Sequence, residues 1–319
     1  MTRHILIIDP IEKLVVKKDS SLMLALTLKQ AGHDVYLTTV NHLSFQNTTA
    51  PQIEVFTFNG KFADDGCYLN EFSMDSQAQL LPVAANCCFH MRLDPPFDLK
   101  YLRTLWLLQA LKLYKCQVVN DSEGILLHNE KLYAYTHAKE KFPSYLGQSE
   151  RQLKSFLLEQ KKQGVTDIIL KPVDLFQGEG VEKHPLEMDT ILQQFQKMKT
   201  KYQGAVIVQP YAKSVEQGEI RSIFFDNKEL GSIIKIPPQG SHLANIARGA
   251  QFSAIELNPT LKQECLRINE SLAKNGVRWT AFDILDNKIS EVNITCPGLL
   301  VEVSFAMKRN LAADIIEML

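Results

Sequence analysis

The chain of 319 residues has no run of 18 apolar residues, so nothing in it is long enough for a membrane-spanning helix. Its opening stretch holds only four consecutive apolar side chains, Ile5 to Ile8, before Asp9. That is too short for the apolar segment of an export signal and reads as a buried first strand. The six cysteines show no CxxC spacing and are too sparse for a disulfide scaffold, which points to reduced thiols in a cytoplasmic protein. The adjacent Cys87 and Cys88 read as buried apolar filling rather than a redox pair. The eight histidines include no HxxH or HxxxH pair, so a histidine zinc site is not supported. GxSxG, Walker A and GxGxxG patterns are absent, and with them the common hydrolase, P-loop and dinucleotide fingerprints. No charge of one sign dominates: 35 Lys and Arg face 36 Asp and Glu, for a net charge of -1. Such a chain has no global attraction to nucleic acid or to an acidic membrane, although a local basic pocket is compatible with it.

What remains is an ordinary globular composition, 45% hydrophobic and 22% charged, with enough apolar side chains for a sizeable core. At roughly 150 residues per domain the length corresponds to about two domains. Strand-like Ile5–Ile8, a helical pattern over Ser20–Ala31 stopped by Gly32, and strand-like Val35–Val40 make a βαβ unit, hence a parallel sheet. Residues 41–82 have weak periodicity, consistent with edge strands and loops. Cys87–Met91 reads as a strand broken by Asp94-Pro95-Pro96, followed by an amphipathic helix over Leu99–Leu113 and a strand at Cys116–Asn120. Asn120 to Gly124 reads as a turn and linker. Beyond it come helices over Ser149–Gln163 and Leu186–Tyr202, with strands at Asp167–Pro172, Ala205–Pro210, Glu219–Phe225, Leu230–Ile236, Arg278–Ile284 and Ile289–Ile294. The fold class is α/β with mixed sheets.

The most informative constellation lies between Phe282 and Asn293. Two apolar runs flank Asp286-Asn287-Lys288, a hairpin signal. Glu291 and Asn293 are two apart and share a face of their strand. Asp283 joins that face if 283 pairs with 291, which a three-residue turn at 286–288 satisfies and a two-residue turn does not. Three oxygen-bearing side chains on one patch suit a hard divalent cation such as Mg²⁺; the same pattern also describes a solvated polar hairpin face.

Lys131 stands at a helix start after Asn129-Glu130, and Lys171 ends the apolar run Ile168-Ile169-Leu170. Such lysines are commonly solvated, but a pair of them can neutralise phosphates as point charges. Gly178 and Gly180 follow in Gln177-Gly178-Glu179-Gly180, where backbone N–H groups can approach phosphate oxygens; an ordinary turn has the same composition. Arg221 sits where a strand begins after Gly218-Glu219. Lys235 and Arg248 flank a loop, Ile236 to Asn245, long enough for a mobile cover.

In chain order these segments resemble the bacterial glutathione synthetase family of ATP-grasp ligases over nearly the whole chain. The resemblance is carried by Asp9-Pro10 through Ser21, Arg92 to Asp98, Asn129-Glu130-Lys131-Leu132, Ile169 to Pro172, Ile236-Pro237 and Asp283 to Pro297. It implies an N-terminal pre-ATP-grasp (Rossmann-like) parallel-sheet domain over 1–124. An ATP-grasp fold of two α+β subdomains would follow, a lid over 125–204 and a catalytic part over 205–319. It further implies ATP-dependent joining of γ-glutamylcysteine to glycine through an acyl phosphate, with two Mg²⁺ ions (Mn²⁺ as substitute), in a cytoplasmic homo-oligomer that binds neither nucleic acid nor membrane. Carried over by position, Asp283, Glu291 and Asn293 match the metal ligands. Lys131, Lys171, Gln177, Gly178, Gly180, Gln209, Tyr211 and Glu219 match the nucleotide side. Arg221, Lys235, Asn245 and Arg248 match the catalytic charge-stabilising set and its lid, and Lys17, Asp19, Ser20, Arg92 and Cys296 match the peptide-substrate side.

Four departures from the family pattern stand out. The phosphate loop is bulky and carries Glu179, a negative charge expected to weaken ATP binding unless it points away. The lid between Ile236 and Gly249 is a few residues shorter, and Lys235 stands where arginine is usual, losing the bidentate fork. Glu219 replaces an aspartate, and Cys296 replaces a serine before Pro297.

Overall fold

The computed structural model describes residues 2–241 and 243–319; Met1, and His242 in the expected cover loop, lie outside them. Strand β1 (Arg3–Ile8), helix α1 (Ser20–Gln30) and strand β2 (Asp34–Thr38) form the expected βαβ unit, with β1 and β2 parallel. Asp19 caps α1, its carboxylate accepting from Ser21 N at 2.8 Å and Leu22 N at 2.9 Å. The weakly periodic stretch holds β3 (Gln52–Val55), β4 (Phe58–Phe62), β5 (Leu69–Met74) and β6 (Gln79–Pro82), paired antiparallel as β3–β6 and β4–β5. Then come β7 (Cys87–Arg92), α2 (Leu99–Leu111), β8 (Gln117–Val119) and α3 (Ser122–Leu127). The first sheet has the order β2-β1-β7-β8 and is parallel throughout.

Helix α4 (Glu130–His137) leads to β9 (Tyr145–Gly147), α5 (Glu150–Lys162), β10 (Asp167–Pro172), β11 (Glu182–Pro185), α6 (Met188–Tyr202) and β12 (Val206–Pro210). These four strands form an antiparallel sheet, β11-β10-β12-β9. The boundary expected at 204/205 therefore falls ahead of a strand that belongs to this sheet, whose last residue is Pro210. The third sheet, β15-β14-β13-β16-β17, contains β13 (Glu219–Phe225), β14 (Lys228–Ile236), β15 (Gln251–Ala254), β16 (Trp279–Leu285) and β17 (Lys288–Asn293). Helix α7 (Pro259–Ala273) lies between β15 and β16; α8 (Leu300–Ala306) and α9 (Leu311–Met318) end the chain.

Period-two alternation splits the third sheet into two faces. Phe224, Phe282, Ile284 and Val292 pack under α7 and α4. Ile223, Phe225, Ile233, Trp279 and Ala281 pack with α8 and α9, in one core with Leu6, Leu22, Leu26 and Leu28 of the N-terminal unit. Residues 120–124 are therefore no linker. Buried Asn120 donates to Trp279 O at 2.6 Å and Ile294 O at 2.7 Å, and accepts from Arg278 N and Trp279 N. A Cβ on Gly124 would come within 2.4 Å of Asn275 O. A segment whose polar side chain replaces four peptide partners is a clasp, and its turn-like composition does not reveal that.

Candidate active site

The face of the third sheet that carries Ile223 and Phe225 turns polar at one end, where Glu219 and Arg221 continue the same alternation on β13. Register sets Glu219 opposite Lys235 and Arg221 opposite Asp283. Asp283 in turn lies opposite Glu291, and Ala281 opposite Asn293. Arg221 grips Asp283 with both prongs, Nε to Oδ1 at 3.0 Å and Nη2 to Oδ2 at 2.7 Å. Lys235 Nζ bridges Glu219 Oε2 at 2.7 Å and Asp283 Oδ1 at 3.1 Å, and Asn293 Nδ2 donates to Asp283 Oδ2 at 3.0 Å. Burial opposes ionisation of Asp283, but Arg221 and Lys235 outweigh it and hold the carboxyl well below the ordinary carboxylate range. Glu219 goes the other way: burial pushes it up against the pull of Lys235.

The turn that places these groups differs from the expected three-residue loop. Asp286 and Asn287, with φ of 53° and 56°, make a two-residue turn in which Leu285 pairs with Lys288. Alone it would put Asp283 on the wrong face. A bulge restores the register: Ser290 is the extra residue, and its hydroxyl donates to Asp283 O at 3.0 Å.

These residues floor a cleft of about 600 Å³ between the second and third sheets, roofed by the loop 243–247. One wall holds Lys131, Lys171, Gln209 and Tyr211 with apolar Phe142, Ile169 and Leu285, a slot suited to a flat base with a charged end. Lys131 Nζ contacts Glu291 Oε1 at 3.0 Å and donates to Leu175 O at 2.7 Å. Burial would lower Lys131, but Glu291 and Glu130 more than compensate and keep it cationic. Gln209 donates to Ser144 Oγ at 2.6 Å, and Lys171 lies over the Tyr135 ring. Gly178 has φ +73° and faces Leu243 so closely that a Cβ would stand 3.0 Å from it, while Asn245 Nδ2 donates to Gln177 O at 2.8 Å. The loop 243–247 thus rests on the loop that holds Gln177 and Gly178. At the opposite end the cleft reaches Asp19, Ser20, Arg92, Asp94 and Cys296.

Most of the residues expected at the site meet there, but several do other work. Asn245 spends its amide on Gln177 O and its oxygen on Ala247 N, latching two loops. Arg92 is buried, bonded to Ser21 Oγ and Pro297 O and stacked 4.0 Å over Trp279, so its fork is already engaged. Ser20 Oγ accepts from Leu300 N at 3.0 Å. Three expected residues do not line the cleft. Lys17 lies over the Tyr68 ring, and it is the neighbouring Lys18 that faces in, near Glu302. Gly180 sits behind, against Tyr202 and Pro172. Arg248 is exposed at the end of a short 3₁₀ turn.

Two carboxylates escaped the sequence pattern. Glu130 turns inward, where its Oε1 accepts from Ile294 N at 2.7 Å, Thr295 N at 2.9 Å and Thr295 Oγ1 at 2.8 Å. Burial and then the Glu291 charge push its carboxyl upward. Asp94, beside Cys296, is pushed up to about 6 by burial, and the Cys296 thiol is pushed well above its ordinary value by the same cause. The helix-start Asn129-Glu130 reads as a cap with a dipole-complementing acid; nothing local signals a partner 164 residues away.

The geometry can be set beside known proteins. The model of the prokaryotic glutathione synthetase ATP-grasp domain matches residues 130–308, and that of its N-terminal domain matches residues 2–125. The chain belongs to the prokaryotic glutathione synthetase family. Glutathione synthetase of Coxiella burnetii is 26% identical over 317 residues, covering 98% of this chain and 94% of that protein. The glutathione synthetase of Nostoc sp. is 27% identical over 325 residues, with 98% and 95% covered. Among solved structures, D-cycloserine synthetase DcsG superposes with a TM-score of 0.66 at 13% identity, covering 99% of each chain. The ATP-grasp ligase PsnB complexed with minimal precursor gives 0.60 at 16% identity, covering 100% of each. At such identities these two speak for the ATP-grasp fold alone. In a glutathione synthetase family member the α/β architecture, with a parallel sheet in the N-terminal region, is the expected one.

Proposed function

We propose that this chain ligates γ-glutamylcysteine to glycine at the expense of ATP, forming glutathione, ADP and phosphate. The observation that carries it is the cross-strand row Arg221–Asp283–Glu291 with Asn293, set beneath a slot walled by Lys131, Lys171 and Gln209. Asp283 and Glu291 stand opposite each other on adjacent strands, their charges met by Arg221, Lys235 and Lys131, and the pair would hold a cation once phosphate draws those side chains away. The donors fit Mg²⁺: all are hard oxygens, and with its Nδ2 used by Ala281 O and Asp283 Oδ2, Asn293 keeps Oδ1 for a ligand. When bound, Mg²⁺ would neutralise the triphosphate and orient it for in-line transfer.

The chain's own residues do the rest. Lys131 and Lys171 face the phosphates as point charges, and the apolar slot beside Gln209 and Tyr211 holds the base. Phosphate oxygens would compete with Asp283 for Lys235 and Arg221, leaving the Asp283 carboxylate available to hold a cation. A peptide carboxylate oxygen attacks the γ-phosphorus and ADP leaves. The glycine nitrogen then attacks the acyl carbon, phosphate departs and the amine loses a proton. Arg221 lies where charge builds on the transferring group. The loop 243–247 excludes water that would otherwise hydrolyse the acyl phosphate. We assign the nucleotide-gripping roles to the second and third sheets and the peptide side to the N-terminal unit, in a cytoplasmic homo-oligomer.

Mass analysis of products with Mg²⁺, ATP and γ-glutamylcysteine, with and without glycine, is the direct test. ADP formation that depends on glycine and yields the matching tripeptide is expected; ATP binding without turnover on this pair would overturn the assignment. A second reading, the same mechanism with another amine or thiol dipeptide, is favoured by Cys296 and Asp94 at the peptide end, and an amine panel separates the two. Glu291→Ala is expected to remove Mg²⁺-dependent turnover by at least about 10²-fold, since it deletes a ligand and frees Lys131. Turnover unchanged in Glu291→Ala would refute the metal assignment.

A further inference from the structure

A second cluster lies on the face of the first sheet that carries Leu6 and Ile8, one alternation along β7 from Arg92 at the end of the cleft. In the parallel ladder His4 is opposite Cys88 and Leu6 opposite His90, so alternation puts His4, Cys88 and His90 on one face. His4 Nδ1 lies 3.0 Å from His90 Nε2, and Cys88 Sγ lies 3.7 Å from the same nitrogen. One ligand atom from each lies within 4.8 Å of the others, and all three residues are buried. We propose that His4, Cys88 and His90 bind a borderline-soft d¹⁰ cation of the Zn²⁺ class, clipping β1 to β7.

The distances fit the ion. Zn–N bonds of about 2.0–2.1 Å and a Zn–S bond of about 2.3 Å at tetrahedral angles put N···N near 3.3 Å and N···S near 3.6 Å. The His4–His90 and Cys88–His90 separations differ from these by a few tenths of an ångström, and the His4 and Cys88 ligand atoms lie within 4.8 Å of each other. Two imidazoles and a thiolate select Zn²⁺ or Cu⁺ over Mg²⁺, so this site is chemically distinct from the all-oxygen set in the cleft. Three protein ligands leave a fourth position open. The half-buried His33 ring stands edge-on to His4, 5.1 Å between centroids. The motif search by HxxH spacing misses such a site because its ligands sit across two strands rather than along a helix.

The test uses the full chain, stripped by a chelator and kept in excess Mg²⁺ so that the oxygen ligands in the cleft are occupied. Titration with Co²⁺ is expected to saturate at one equivalent with a thiolate-to-cobalt charge-transfer band and the intense visible bands of tetrahedral cobalt. Cys88→Ala should lose the charge-transfer band, and Cys67→Ala should keep it. X-ray absorption on the Zn²⁺-loaded wild type needs no variant to fold, and should show one sulfur at about 2.3 Å and two nitrogens at about 2.0 Å. No charge-transfer band, a band that survives Cys88→Ala, or a zinc shell without sulfur would each overturn the proposal.

Discussion

Replacing Asp283 by alanine is expected to cost about 3–5 kcal/mol of stability and at least about 10²-fold in turnover. The side chain is the hub of the site: Arg221 gives it two bonds, Lys235 and Asn293 one each. Deleting it removes both bonds of the Arg221 guanidinium, whose side chain is only 12% exposed, whereas Lys235 keeps Glu219. Denaturant unfolding of wild type and variant reads the loss directly. The pH dependence supplies its own check. In the folded protein Asp283 ionises below its ordinary value of 3.8, because the cations outweigh the burial that opposes ionisation. A group depressed on folding stabilises fully above its unfolded value, and that contribution drains away as pH falls below it. The gap between wild type and Asp283→Ala should therefore be constant from neutral pH down to about 4 and narrow in stronger acid. A gap that widens in acid would contradict this account.

Glu130→Ala should be the second severe change, although this residue touches none of the reacting atoms. It leaves three buried donors, Ile294 N, Thr295 N and Thr295 Oγ1, without an acceptor. At about 1–3 kcal/mol for each unsatisfied group, a loss of several kcal/mol follows. The same bonds tether the segment between Asn293 and Cys296 to the start of α4, where Lys131 stands. Glu130→Gln keeps the accepting oxygen and, since burial already pushes the acid toward its neutral form, should recover most of the stability. In Glu130→Ala protein that still folds, the Mg²⁺ concentration for half-maximal rate should rise, with the loss reversed by the glutamine variant. Equal loss in both variants would show that Glu130 acts through its charge instead.

The sheet-forming parts of this molecule were legible because each writes its period into a few consecutive residues. Asp167–Pro172 and Glu219–Phe225 have the expected bounds, and the βαβ start lies within about two residues of its expected limits. The hairpin was legible in outcome but not in means: Asp283 does face Glu291, through a bulge at Ser290 that no composition rule announces. Helix α7 went unread although Asn258 caps it and Pro259 opens it, because Cys265 and Asn269 blur its apolar stripe. Asn120, Arg92 and Glu130 were illegible for a common reason. Each is a polar side chain whose partners lie more than 70 residues off in sequence, and such pairings are decided by packing of whole elements.

The shared core of the first and last parts of the chain has a consequence for how the protein is made. Helix α1 buries Leu22, Leu26 and Leu28 in a cluster that also contains Leu300, Leu311 and Ile315. A ribosome adding about 5–20 residues per second leaves that face of α1 without its cover for roughly 15–60 s. The βαβ start of the chain therefore waits as a half-covered intermediate, and its docking onto the C-terminal helices comes last. Truncations that remove α9 should yield chains that engage chaperones or aggregate, even though every residue of the nucleotide slot is still present.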